Sequence, residues 1–351
     1  MSTPFARYNR QVLLPFIGEE GQKKICASTA VVIGCGALGT VIANVLARAG
    51  VGHLKIIDRD FIEESNLQRQ LLFDEDDCRD NLPKAAAAER KLKQVNSTIQ
   101  VEGIVSDVNP TNIEEFIKGA TVVVDGADNF ETRFVLNDAC VKHGLPWIYG
   151  AAVGSVGLSM TVIPGTTPCL RCIFETAPPP GMTPTCDTAG VLASVTGLIG
   201  NYEAAEALKI CAGLTQHVNT KLFQIDLWTG EQHAFKIARA REVADCPCCK
   251  RRNFEFLEGQ GASSTTSLCG RNAVQINPKN GAKVNIEDLA KQLKNSSDVK
   301  NLSANKFLLK FNAPGGDEGL EITVFPDARA IVKGTKQIPV ARTAYAKYVG
   351  A

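Results

Sequence analysis

A doubly wound, Rossmann-like mixed α/β sheet with a small α+β unit behind it is the fold this sequence predicts. Three observations lead there. The apolar run Ala30–Ile33 feeds a glycine turn, Gly34-Cys35-Gly36-Ala37-Leu38-Gly39, which opens a small-residue helix over 40–49. Strand and helix patterns then alternate as far as residue 163, as a parallel sheet with crossover helices requires. A small, polar stretch, Gly259–Ser267, precedes a fresh strand–helix pattern that runs to the end of the chain.

Residues 1–29 read as an arm and a helix before the first strand, and hold Arg7-Tyr8-Asn9-Arg10-Gln11. Read locally, Arg10 is a surface residue. The second strand, 53–57, ends on Asp58. Glycines permit a tight turn and close approach to a phosphate, and the helix start offers free N–H groups. An acid at the end of the next strand can bond a ribose hydroxyl. Gly34, Gly36, Ala37, Gly39 and Asp58 are therefore the expected nucleotide-binding set, with NAD, NADP or FAD as the default ligand of such a fingerprint. Beyond Asp58, the segment Ser65-Asn66-Leu67-Gln68-Arg69-Gln70 is rich in hydrogen-bonding groups. Asn66 and Arg69 could reach a triphosphate there, a guanidinium being suited to paired phosphate oxygens. Lys84 follows Pro83 at the start of an alanine-rich helix over 85–95, and could be either a phosphate ligand or an ordinary solvated charge.

A strand over 99–104, a helix over 112–118 and a strand over 121–124 come next, the last running into Asp125-Gly126-Ala127-Asp128-Asn129. Strand ends of this kind face the ligand crevice, so Asp128 and Asn129 should lie near the glycine turn. Asp128 could hold a phosphate-bound Mg²⁺, which needs few protein oxygens; either residue could equally cap the helix over 130–143. Strands over 146–152 and 158–163 form a hairpin across a glycine-rich turn, a long helix runs to about residue 212, and strands over 221–227 and 232–237 form an outer hairpin.

Twelve cysteines without a secretion signal argue for thiols or metal ligands rather than a disulfide framework. Cys169 and Cys172 form one knuckle, and Cys246 and Cys249, beginning 74 positions after Cys172, form another. Four thiolates are the tetrahedral set of a structural Zn²⁺, provided that the fold brings the knuckles together. Cys248 competes inside the second knuckle. Between them, a proline-rich loop leads to Cys186 beside a helix start, where a reactive thiol and a buried structural cysteine are both open readings. Basic and acidic residues number 38 and 37, which leaves no charge footprint for nucleic acid or an acidic membrane. The longest weakly polar stretch is too short to span a bilayer, and the expected location is the cytoplasm.

Taken together, RYNRQ at 7–11, GCGALG, Asp58, SNLQRQ at 65–70, Lys84, DGADN at 125–129, both knuckles and TCDTAGV at 185–191 resemble the MoeB/ThiF (HesA) family of sulfur-carrier protein adenylyltransferases, relatives of the ubiquitin-activating enzymes. The resemblance spans roughly residues 5–252. It implies a homodimer that uses Mg·ATP to adenylylate the C-terminal Gly carboxylate of a small ubiquitin-like carrier ending in Gly-Gly, releasing pyrophosphate before thiocarboxylate formation. It further implies that Asp58 holds ribose, that Asn66, Arg69 and Lys84 hold phosphates, and that Asp128 holds Mg²⁺. Arg10 would reach the partner subunit's triphosphate, which reverses the local reading. Gln70 and Arg133 are lesser candidates, Arg133 for the incoming tail. Cys186 matches a position that carries the carrier covalently in several relatives, and the knuckles would hold zinc away from the chemistry. Ala37 stands where many members have a glycine. With no rhodanese-like pattern in the tail, a separate protein would donate persulfide sulfur. The pathway, thiamine or molybdopterin synthesis or another, is left open by the sequence. The expected organisation is a catalytic domain over 1–257, a linker over 258–267 and a small α+β domain over 268–351 resembling one appended to some bacterial ThiF-type proteins. A Rossmann oxidoreductase explains the first sixty residues but not Arg69, Lys84, Asp128 and the four cysteines. A non-catalytic carrier scaffold explains the fold but not the retained charges. A tRNA-modifying dehydratase relative would also adenylylate a carboxylate, but the knuckles and the Cys186 loop favour a sulfur carrier.

Overall fold

The computed structural model describes residues 5–176, 186–259, 265–268, 272–276, 283–316 and 319–350. Among these the chain forms two compact units, one within residues 1–179 and 189–261 and the other within residues 180–188 and 262–351.

The first unit is built on an eight-stranded sheet in the order β3-β2-β1-β4-β5-β6-β7-β8. Its strands are β1 (Thr29–Ile33), β2 (His53–Asp58), β3 (Gln100–Val105), β4 (Val122–Asp125), β5 (Trp147–Val153), β6 (Val156–Val162), β7 (Lys221–Asp226) and β8 (Gln232–Lys236). The first five strands pair in parallel, and the hairpins that add β6, β7 and β8 are antiparallel. From β1 the chain winds outward through β2 to β3, then returns to lay β4 on the opposite side of β1. The divergence of the crossovers there opens a crevice beyond the C-terminal ends of β1 and β4, where open α/β sheets bind ligands.

Apolar side chains alternate between the two faces, as the pleat requires. On β1, Ala30 and Val32 join one core with Ile42, Leu46, Leu54 and Ile199, while Val31 and Ile33 join the other with Phe134, Leu136 and Trp147. The helix Ala37–Ala49 begins directly on Gly36 and ends on Gly50, whose φ of +84° lets its N–H and that of Val51 close onto the last turn. The helix Phe130–His143 is capped by Asn129, whose side-chain oxygen accepts from Thr132 N–H at 2.8 Å, and it stops at Gly144. Asn129 is thus the helix cap that the sequence allows. The β5–β6 hairpin turns at Gly154 (φ +61°) and Ser155.

Glycines at the head of the sheet are spacers. A Cβ on Gly34 would sit 2.4 Å from the Gly126 carbonyl oxygen, one on Gly126 would sit 2.5 Å from the Gly34 carbonyl oxygen, and one on Gly39 would sit 1.9 Å from the same atom.

The second unit is a six-stranded antiparallel sheet, order β11-β12-β13-β14-β10-β9, with the helices Ile286–Lys294 and Ile338–Tyr348 packed on it. Its strands are β9 (Thr265–Leu268), β10 (Ala273–Ile276), β11 (Lys300–Ala304), β12 (Leu309–Ala313), β13 (Leu320–Val324) and β14 (Ala330–Lys333). Strand β9 takes up the last residues of the stretch expected as linker, and β11 had no counterpart in the sequence pattern. Val274, Phe311, Ile322, Val324, Leu289 and Tyr345 fill its core. Among the described residues no helix is long and apolar enough to cross a membrane.

Gly39→Ala is expected to lower the melting temperature by roughly 3–10 °C, because a methyl group driven into the Gly34 carbonyl forces a backbone shift worth about 1–3 kcal/mol. Gly36→Ala, whose Cβ would meet only the Gln70 amide at 3.9 Å, should lose less. Thermal melts by circular dichroism compare the two, and a Gly39 variant as stable as wild type would contradict the spacer role.

Candidate active site and metal centre

The crevice gathers most of the residues expected of it. Asp58, at the end of β2, turns back over the glycine turn: one carboxylate oxygen accepts from the Cys35 N–H at 2.6 Å and the other from the Asp60 N–H at 2.6 Å. Burial raises its pKa and the nearby Lys84 opposes the rise. Lys84, 4% exposed, starts the helix Lys84–Val95 and places its ammonium 3.3 Å from the Asp60 carboxylate. Burial, and next Asp58, push the Cys35 thiol far up, so this cysteine of the turn is held as a neutral thiol.

The segment after β2 folds into the short 3₁₀ turn Glu64–Asn66. Asn66 is buried, its side-chain oxygen accepting from Glu63 N–H at 3.1 Å, and its carbonyl accepts from the N–H groups of Arg69 and Gln70. Gln70 is 3% exposed with a side-chain oxygen that has no hydrogen-bond partner, and its amide nitrogen is the nearest group to Gly36. A buried side-chain oxygen left without a partner is what a missing polar ligand would leave, and here it belongs to an amide whose nitrogen lies beside the glycine turn. The Arg69 guanidinium, partly exposed, donates to the Ser65 carbonyl at 2.8 Å. Asp128 is exposed beyond β4 and accepts from the Asn129 amide at 3.1 Å. Arg10, in the turn Asn9–Val12, is exposed. Cys186 begins the helix Cys186–Ala189; its side chain, like the loop 177–185 before it, lies outside the described residues.

Arg133 makes its bonds inside the fold. Its guanidinium is buried, donating to the Asp125 carboxylate at 2.8 Å and to the Ala127 and Gly150 carbonyls at 2.8 and 2.7 Å, with the Tyr149 ring 5.1 Å away. Through Nε and one terminal nitrogen Arg133 grips the loop that carries Asp128. Beside it Glu203, from the helix Ala193–Cys211, is fully buried against Gly150 with neither carboxylate oxygen hydrogen-bonded. Burial, reinforced by Asp125 and opposed by Arg133, raises the pKa of Glu203 well above the ordinary glutamate range.

Sequence reasoning missed Arg59 and Asp107, which pair at 2.8 Å at the crevice rim with Asp60 and Asp128 in their field. It also missed Asp125 and Glu203. Only Asp125 left a signal, an acid closing an apolar strand eight residues before an arginine.

The knuckles do meet. Cys169, Cys172, Cys246 and Cys249 place their sulfurs within 4.8 Å of one another, with Cys169–Cys172, Cys169–Cys246 and Cys172–Cys249 separations of 3.8, 3.5 and 3.4 Å. A tetrahedral Zn²⁺ with Zn–S bonds of about 2.3 Å spaces its sulfurs by about 3.8 Å, so the four fit that ion. Cys248 is outside the set.

The model of the ThiF family matches residues 8–248 of this chain. The chain belongs to the ThiF family. This ThiF-family chain is 43% identical over 344 residues to the sulfur carrier protein ThiS adenylyltransferase of Bacillus subtilis (strain 168), covering 98% of this chain and 99% of that protein. It is also 36% identical over 257 residues to the SAMP-activating enzyme E1 of Haloferax volcanii, covering 73% of this chain and 93% of that one. Among solved structures it is similar to E. coli MccB with ATP, at 26% identity and a TM-score of 0.60 over 69% of this chain and 74% of that one. The protein is an adenylyltransferase, a nucleotidyl-transferring enzyme.

Glu203 yields a pH prediction. A carboxyl whose pKa is raised by folding keeps a proton that the unfolded chain loses, so its share of stability is whole below about pH 4.5 and falls as pH rises toward the raised value. One such proton contributes a slope of up to about 1.4 kcal/mol per pH unit. Glu203→Gln should therefore gain stability over wild type progressively above that pH, measured by urea melts from pH 4 to 8. A difference that stays constant across the range would mean that Glu203 ionises normally.

Proposed function

We propose that this enzyme adenylylates the C-terminal carboxylate of a small ubiquitin-like sulfur-carrier protein ending in Gly-Gly. The observation that carries this reading is end-to-end correspondence with the B. subtilis ThiS adenylyltransferase, both units included. The crevice chemistry supports it.

In this reading the carrier's carboxylate oxygen attacks the α-phosphorus of ATP. The new P–O bond gives the acyl-adenylate, the bond to the β-phosphate oxygen breaks, and pyrophosphate leaves. The work is positioning and charge neutralisation rather than proton transfer. The turn Gly34–Gly39 and the uncapped start of the helix Ala37–Ala49 cradle phosphate, Gly36 leaving the room a phosphate needs. Asp58, anchored by two backbone N–H groups, takes a ribose hydroxyl. Asn66, Arg69, Gln70 and Lys84 hold phosphate oxygens, with Lys84 exchanging part of its attraction to Asp60 for the triphosphate. Asp128 would hold Mg²⁺, which would supply further neutralisation of the phosphates, and Asn129 keeps Asp128 oriented.

A homodimer would bring Arg10 to the other subunit's triphosphate. Leu13, Phe16 and Leu71 are each more than 60% exposed, and a groove of about 500 Å³ lined by Val41, Val45, Arg48, Leu72 and Lys91 lies beside Leu71; both suit a second copy. The zinc cluster is structural. Cys186 is the candidate for covalent transfer in the sulfur step, and a separate persulfide protein would donate the sulfur. The adenylylation belongs to the first unit and a cytoplasmic setting, with a carrier of the ThiS type, as in the B. subtilis relative's name.

Carrier-dependent exchange of labelled pyrophosphate into ATP tests this. A Gly-Gly carrier should support exchange that Asp128→Ala and Lys84→Ala each lower by roughly 100-fold or more. Folded, zinc-loaded protein that binds NADH but exchanges no pyrophosphate with any such carrier would overturn the reading in favour of an oxidoreductase.

A further inference from the structure

The second knuckle, Cys246-Pro247-Cys248-Cys249, offers three thiols to a metal that takes two of them. What makes the choice lies on another element. Asn137, in the middle of the helix Phe130–His143, is fully buried. Its side-chain oxygen accepts from the Leu170 N–H at 2.9 Å, inside the first knuckle. Because that partner can only donate, the amide orientation is settled, and the Asn137 NH₂ is left to donate to the Cys248 sulfur at 3.2 Å, inside the second knuckle. One amide thus bridges the two halves of the metal centre, which are far apart in sequence. The next residue, Asp138, holds the Phe256 N–H at 3.0 Å just past the second knuckle.

We propose that Asn137 is the positioning residue of the metal centre: it sets the two knuckles in register and holds Cys248 out of the ligand set. The proposal rests on the zinc reading of the four cysteines. Groups behind the ligands orient them, and losing one usually weakens metal affinity by about 10–100-fold. Here the orienting bonds go to the backbone beside Cys169 and to the sulfur beside Cys249. The bond draws the Cys248 sulfur toward the helix Phe130–His143, and Cys246 and Cys249 are left to face the metal with the two-residue gap that a knuckle needs.

The test uses the full chain and two variants. In Asn137→Ala, zinc should pass to a colorimetric chelator about 10–100-fold faster than from wild type. Its Co²⁺-substituted form should show a changed thiolate charge-transfer spectrum, since a freed Cys248 can enter the set. In Cys248→Ser, zinc stoichiometry and the Co²⁺ spectrum should match wild type. An Asn137→Ala protein that melts lower but releases zinc within twofold of the wild-type rate would reduce Asn137 to a packing role and overturn the proposal. A Cys248→Ser protein that loses zinc or thiolate charge-transfer intensity would overturn it as well, and that variant serves even if Asn137→Ala fails to fold. Wild-type chain that carries no zinc and takes up no Co²⁺ would instead sink the metal reading.

Discussion

Everything at the head of the large sheet depends on how closely β1 and β4 approach where they end. Gly34, Gly39 and Gly126 stack backbone on backbone there, with no room for a single Cβ at any of the three positions. That contact brings the first turn of the helix Ala37–Ala49 and the loop carrying Asp128 to the same crevice. It also leaves main-chain N–H groups, rather than side chains, at the base of the site. Phosphate recognition by a backbone cradle needs such a surface, because a side chain of any size would hold the anion off the amides.

Around this base the charges are arranged in layers. The inner layer is paired and buried: Asp125 with Arg133, and Lys84 near Asp60. The outer layer, Arg69, Asp128 and the Arg59–Asp107 pair, is partly solvated. Buried pairs give direction at a desolvation cost, whereas exposed charges stay available to a highly charged ligand. Glu203 is the odd member, a second buried acidic side chain beside Arg133, and remaining neutral is the least costly solution to that crowding.

Most of this was legible in the sequence where local rules operate. The strand–turn–helix–strand order around Gly34–Gly39 and Asp58, the capping residue Asn129 and the two knuckles are short-range patterns, and the structure keeps them together. What escaped is non-local or atypical. Arg133 reads like any arginine on a helix until its partners on β4 and β5 are known. Asn137 and Asp138 interrupt the apolar middle of their helix, yet nothing in their spacing points to Leu170, Cys248 or Phe256. Strand β11 carries Asn and Ser, poor strand formers, on a mostly exposed sheet edge with a bulged register. Strand β9, Thr- and Ser-rich after a glycine-rich run, reads as linker because a β-strand at a sheet edge needs little apolar content.

The middle of the helix Phe130–His143, residues 133–141, is buried on every side, nine of its fourteen residues. Its cap, Asn129, adjoins Asp128, and Asn137 lies eight positions further along, roughly 12 Å at the usual rise. A rod so enclosed has little freedom to bend and transmits displacement along its axis. A change at the cysteine cluster that shifts this helix therefore shifts its capped end at the crevice as well. A fall in nucleotide affinity after a cysteine substitution would accordingly be poor evidence that the metal touches the nucleotide.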